Sequence, residues 1–82
     1  MPMSKLIDCF VQTFSIDASL VTEKLAYQSI PQWDSVGHMA LVVEIENAFN
    51  ITLDTDDIIG MSDVAHIVAI LQKHGTALDA VA

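Results

Sequence analysis

Trp33-Asp34-Ser35-Val36-Gly37-His38-Met39 decides how this chain reads, because it sets a serine at the first turn of a helix. Asp34 is a good N-cap, Pro31 stands just upstream, and the apolar run from Val36 to Phe49 has the length and spacing of one helix. A serine hydroxyl held there projects into solvent. A phosphate bonded to it would meet unpaired backbone N–H groups and the positive end of the helix dipole. The position therefore suits a covalent phosphate handle. Asp34 can cap the helix by itself, which leaves the Ser35 hydroxyl without that duty, and Gly37 keeps the first turn bare of bulk.

Working outward, the helix that opens at Ser35 should span 35–49 and end at Asn50 in a left-handed conformation. Its inward stripe is Leu41, Val42, Ile45, Ala48 and Phe49. Met39, Val43 and Ala40 fall on another face, and a small bundle cannot bury both sets. The second set is then either an exposed apolar strip beside Ser35 or a strip covered by the preceding loop. Upstream, residues 4–14 read as a helix with Ser4 as N-cap and with Leu6, Ile7, Phe10, Val11 and Phe14 on one face. Cys9 lies beside that face as a small buried or half-buried residue. Residues 15–32 carry scattered apolar side chains without a sustained period, which predicts an ordered loop with a short helical turn near 22–27. Loops this long inside a small domain tend to be functional.

Downstream, Ile51-Thr52-Leu53 is an extended connector. Asp54 or Thr55 can cap a short helix over 55–59 that Gly60 stops. Ser62 is expected to cap a last helix over 62–74, with Val64, Ile67, Val68, Ile70 and Leu71 on its apolar face. Lys73 and His74 fall in its last turn, Gly75 stands at C′, and the tail 76–82 should fray. The expectation is one all-α domain over 1–82: three main helices and one short one in a small four-helix bundle with a long first loop.

Composition narrows the function classes. A hydrophobic fraction of 52% supports a core and argues against disorder despite a net charge of −8. Residues 1–33 hold two lysines against three acids, whereas residues 34–82 hold one lysine against eight. With no arginine at all, nucleic-acid binding is not expected, and an acidic face is better matched to basic patches on partner proteins. No apolar run approaches the roughly 18 residues of a membrane span, and the start does not resemble an export signal. The lone cysteine permits no internal disulfide, which fits a reducing cytoplasm.

Other chemistries find little footing. His38, His66 and His74 are separated by 28 and 8 residues, a spacing that matches no compact metal-ligand pattern. An EF-hand loop opening at Asp54 would need glycine where Ile59 stands and glutamate where Ala65 stands, so no metal site is assigned. His38 lies three residues from Ser35, but a serine and a histidine without a cleft or oxyanion donors do not make an enzyme. His38 is read as solvent-facing beside the serine, and His74 as a cation at a helix end. No catalytic residue is assigned.

The Asp34-Ser35 pair, the helix ending Ile45-Glu46-Asn47-Ala48-Phe49, and the order helix, long loop, long helix, short helix, last helix over 4–74 resemble the acyl carrier protein family. That resemblance implies an acyl-carrier-like bundle and a mechanism lent by other proteins. A phosphopantetheinyl transferase would activate the Ser35 hydroxyl to attack coenzyme A with magnesium assistance. The arm so attached, 4′-phosphopantetheine, would carry acyl groups as thioesters. It implies that Asp34 is the flanking acid, and that partners dock on Val36, Met39, Ala40, Val43 and Glu44, with Asp56 and Asp57 on the short helix. The partners implied are the transferase, an acyl-loading ligase or synthase, and downstream acyl-processing enzymes, with a cytoplasmic monomer as the default.

The chain departs from the familiar fatty-acid carriers, which show leucine and then an acid after the serine. Here Val36 and Gly37 stand there, and Ala40 replaces a common acid. The pattern looks more like free-standing carriers of polyketide, capsule or other specialised routes than like housekeeping fatty-acid biosynthesis. Two alternatives share the sequence: an aminoacyl carrier with the same arm, and an unmodified acidic helical adaptor that binds through the Met39–Val43 strip.

Overall fold

Leu6, Ile7, Phe10 and Phe14 recur at helical spacing and all four are buried, which makes Ser4–Phe14 the first helix, α1. The computed structural model describes residues 4–75, so the expected fraying of 76–82 lies outside the described residues. Ser4 is the first helical residue of α1 rather than the one ahead of it. Val11, expected on the buried face, is half-buried at its margin. Ser15 closes the helix at φ 55°, its N–H donating to the Val11 carbonyl at 2.8 Å.

The loop 15–34 is ordered, but its helical turn is not where the residue pattern placed it. A single 3-10 turn forms at Ala18–Leu20, because the Asp17 carboxylate accepts the Ser19 N–H at 3.0 Å and caps it. Residues 25–27 instead run extended across the start of the last helix. The Val64 N–H donates to the Leu25 carbonyl at 2.9 Å, the Tyr27 N–H donates to the Ser62 carbonyl at 2.8 Å, and Ala26 pairs with Asp63 in an isolated antiparallel bridge. Ile16, Val21 and Leu25 anchor the loop in the core, whereas Leu20 stays half exposed at 50%.

The second helix, α2, runs Ser35–Phe49 and ends on Asn50 at φ 55°, ψ 49°, the left-handed close expected from the sequence. Helix α3 spans Thr55–Gly60, capped by Asp54 and running one residue further than expected, through Gly60. Helix α4 spans Val64–Lys73. Its cap is Asp63, not Ser62. The bridge to Ala26 holds Asp63 extended at φ −157°, ψ 175°, so the helix starts later and the Asp63 carboxylate receives the His66 N–H at 2.8 Å. Gly75 follows at φ 76°, the left-handed conformation read for it.

The described elements are thus all helical apart from that bridge, with α1 packed on α2 and α3 on α4. The core is centred on Trp33, which the residue pattern did not single out. It is fully buried, with Phe10 edge-on at 5.2 Å and Phe14 at 5.9 Å between ring centroids. Leu41, Val42 and Ile45 turn inward from α2, with Ala48 and Phe49 at its margin. Met39 and Val43 are 50% and 53% exposed, so the loop does not cover the second apolar strip.

Candidate functional site

Ser35 is exposed and is the first residue of α2. The cap belongs to Asp34, whose Oδ1 accepts the Gly37 N–H at 2.8 Å while its carbonyl accepts the His38 N–H at 2.7 Å. The first amides of a helix lack intrahelical carbonyls, so this end carries the partial positive charge that favours an anion. The Ser35 hydroxyl plays no part in the cap. It instead shares a 3.0 Å hydrogen bond with the Tyr27 hydroxyl.

Gly37 has a stronger reason than openness. A Cβ built there would lie 2.0 Å from the Gln32 carbonyl oxygen and 3.1 Å from the Phe14 ring. The loop therefore crosses directly over the first turn of α2, and only glycine permits the approach. That crossing delivers Trp33 into the core and leaves Ser35 at the surface.

His38 departs from the expectation of a solvent-facing ring. It is half-buried and both ring nitrogens are engaged. The Trp33 indole N–H donates to His38 Nδ1 at 2.9 Å; because indole can only donate, Nδ1 must be the bare nitrogen. Nε2 then carries the hydrogen and donates to the Ile58 carbonyl at 2.9 Å. The imidazole lies nearly coplanar with the Trp33 indole, at 16° with ring centroids 6.2 Å apart, and meets the Tyr27 ring edge-on at 5.4 Å. A buried indole N–H without an acceptor is costly, so the role of His38 is to satisfy Trp33 and tie α2 to α3. Tyr27, His38, Ile58, Ile59, Met61 and Ser62 line a mostly apolar cleft of about 250 Å³, and Tyr27 is the lining residue whose hydroxyl meets Ser35.

The residues expected at a docking surface divide. Val36 is 81% exposed, and Met39, Ala40 and Val43 are exposed beside it along α2. Asp56 is exposed on α3, while Glu44 is half-buried. Asp57 corrects the expectation: it is 3% exposed, with the Lys73 ammonium donating to one carboxylate oxygen and His74 Nε2 lying 2.7 Å from the other. These partners hold its carboxyl down at about 2, Lys73 contributing most. Asp57 joins α3 to α4 and is not available at the surface. His74, read as a cation at the helix end, is part of the same tie.

Cys9 is buried at 2%, and burial together with nearby Glu44 and Asp8 pushes its thiol up to about 11, so it offers no nucleophile. Glu46 folds back to accept the Leu53 N–H at 2.8 Å. Among the described residues no cluster of three histidine, cysteine or carboxylate groups converges on a common point. Tyr27, Trp33 and His38 are what the residue pattern missed. The spacing of Trp33 and His38, five apart across a helix start, is a signal only once the loop crossing is known.

No protein-family model matches the chain. It is 28% identical over 71 residues to a protein named acyl carrier protein from Lactobacillus johnsonii (strain CNCM I-12250 / La1 / NCC 533). The match takes in 87% of this chain and 89% of that relative. That similarity joins a four-helix order and an exposed serine at the head of α2, and it supports a carrier role in general terms. The chain is thus distantly similar to a protein named acyl carrier protein.

Proposed function

We propose that this protein is an acyl carrier whose Ser35 is esterified to 4′-phosphopantetheine taken from coenzyme A. The observation that carries the reading is the exposed Ser35 hydroxyl at the first residue of α2, spared from capping by Asp34. The site fits the group. Ser35 and its neighbour Val36 stand open to an approaching transferase, and the amino end of a 15-residue helix favours the phosphodiester charge. When bound, the arm supplies a thiol on which acyl groups travel as thioesters. The chain itself contributes position: Asp34 fixes the helix end, Gly37 lets the loop pass, and Trp33 anchors both from below.

Partners in this reading are the transferase, a loading ligase or synthase, and downstream acyl-processing enzymes. They meet Val36, Met39, Ala40 and Val43, with Glu44 and Asp56 adding charge at the margin. Docking is then more apolar than acidic, which suits a specialised acyl pathway better than general fatty-acid synthesis. The chain performs no chemistry of its own, and a reducing cytoplasm suits its lone buried thiol. Among the described residues no helix is long and apolar enough to cross a membrane.

A transferase of broad specificity and coenzyme A carrying a fluorophore on its thiol provide the test. Label should enter the wild-type chain and be absent from Ser35→Ala. The exposed Met39 and Val43 favour one further reading, an unmodified adaptor that binds through this strip. That reading requires an unlabelled wild-type chain, with partner binding unchanged in Ser35→Ala. An aminoacyl carrier would take the same arm and differ only in the cargo found on it.

A further inference from the structure

The Tyr27 hydroxyl is the one side-chain group that the described residues bring to Ser35 Oγ. Its position is not accidental to a loose loop. The Tyr27 N–H is held by the Ser62 carbonyl at 2.8 Å, its ring meets His38 edge-on at 70°, and its neighbour Ala26 bridges to Asp63. The phenol is thereby fixed between Ser35 and the cleft lined by His38, Ile58, Ile59, Met61 and Ser62.

Resting on the reading of Ser35 as the attachment point, we propose that Tyr27 is a positioning residue for the phosphodiester, holding it at the mouth of that cleft. In the free chain either hydroxyl can donate to the other. Esterification breaks the Ser35 O–H bond and one pyrophosphate P–O bond of coenzyme A and forms the Oγ–P bond. It releases a proton and the adenosine bisphosphate portion. Ser35 Oγ then has no hydrogen to give, so Tyr27 can act toward it only as a donor. The anionic phosphate oxygens lie two bonds further on, across the phosphorus, and accept far more strongly than an ester oxygen. The phenol O–H turns to them, and the arm leaves the helix in a set direction.

The experiment compares wild type and Tyr27→Phe, each before and after transferase modification, with the arm verified by mass. Modification should raise Tm in the wild type by about 4–8 °C more than in Tyr27→Phe, the shift expected from one retained charge-assisted hydrogen bond in a small domain. The ³¹P resonance of the modified wild type should be displaced from that of the modified variant. Because Tyr27 is the only tyrosine, 3-fluorotyrosine labels this position alone and gives a second readout should Tyr27→Phe fail to fold. Its ¹⁹F resonance should move on modification and stay fixed when Ser35→Ala is treated identically.

Equal Tm increments with coincident ³¹P signals, or a ¹⁹F resonance indifferent to the arm, would overturn the assignment while leaving Ser35 as the attachment point. A folded Tyr27→Phe that takes no arm would also overturn it, since Tyr27 would then act before any phosphodiester exists. A wild-type chain that takes no arm removes the Ser35 reading and this one together.

Discussion

Ser35 at the head of α2 and Asp57 in the first turn of α3 are both polar groups near a helix start, yet the fold uses them in opposite ways. Asp57 is 3% exposed and engaged by Lys73 and His74, so its charge is consumed in joining two helices. Ser35 is exposed, does no capping, and shares one hydrogen bond with a phenol. The contrast separates polarity that holds the fold from polarity left available. A serine that a neighbour has relieved of capping is the kind of group a modifying enzyme can take without unfolding its substrate.

The largest effect should come from removing what supports both sides of the loop crossing. Trp33→Ala empties the centre of the core and leaves His38 Nδ1 without its donor, and should cost about 3–5 kcal/mol in urea unfolding. Gly37→Ala comes next. The new methyl group must displace the Gln32 carbonyl, at a cost of about 1–3 kcal/mol from overpacking. Because the displaced backbone leads directly into Ser35, modification should slow as well; a melt and a labelling rate both equal to wild type would show that the crossing is not tight.

Asp57→Asn removes the charge from the structural partner of the pair and should show itself in pH dependence. The carboxyl of Asp57 is lowered from 3.8 to about 2 by the Lys73 and His74 hydrogen bonds. A depressed carboxyl stabilises the fold above its unfolded value and loses that contribution as pH falls through its folded value. Wild-type stability should therefore drop between about pH 4 and pH 2, and Asp57→Asn should fall less over the same window. Parallel melting curves across that range would place the acid sensitivity elsewhere. Smallest of all should be Ser35→Ala, which gives up one exposed hydrogen bond and should change stability by no more than about 0.5–1 kcal/mol. A larger loss would mean that Ser35 is structural, and the comparison with Asp57 would collapse.

What the sequence made legible follows the range of the interactions. Local, side-chain-to-backbone devices read correctly: Asp34 as a cap, Asp54 as one of two candidate caps, Asn50 as a left-handed close, and the apolar stripes of α1, α2 and α4. Errors gathered where distant segments meet. Ser62 and Asp63 are equally good caps in isolation, and only the pairing of Ala26 with Asp63 decides between them. His38 looked like a surface ring because helical spacing cannot show that a buried indole waits beneath it. Asp57 looked exposed for the same reason, its partners being sixteen and seventeen residues away. Ser35 was legible because its environment is made by its immediate neighbours, and the Tyr27 hydroxyl was not, because it arrives through a loop with no period.

Three lysines and no arginine leave Ser35 on one long tryptic peptide, Leu25–Lys73, which makes fragment mass spectrometry the direct measurement. After treatment with transferase and coenzyme A, fragments of that peptide should place one phosphopantetheine on Ser35 and none on Ser29, Ser62 or the threonines. An unshifted peptide, or an arm located on any other residue, would contradict the account.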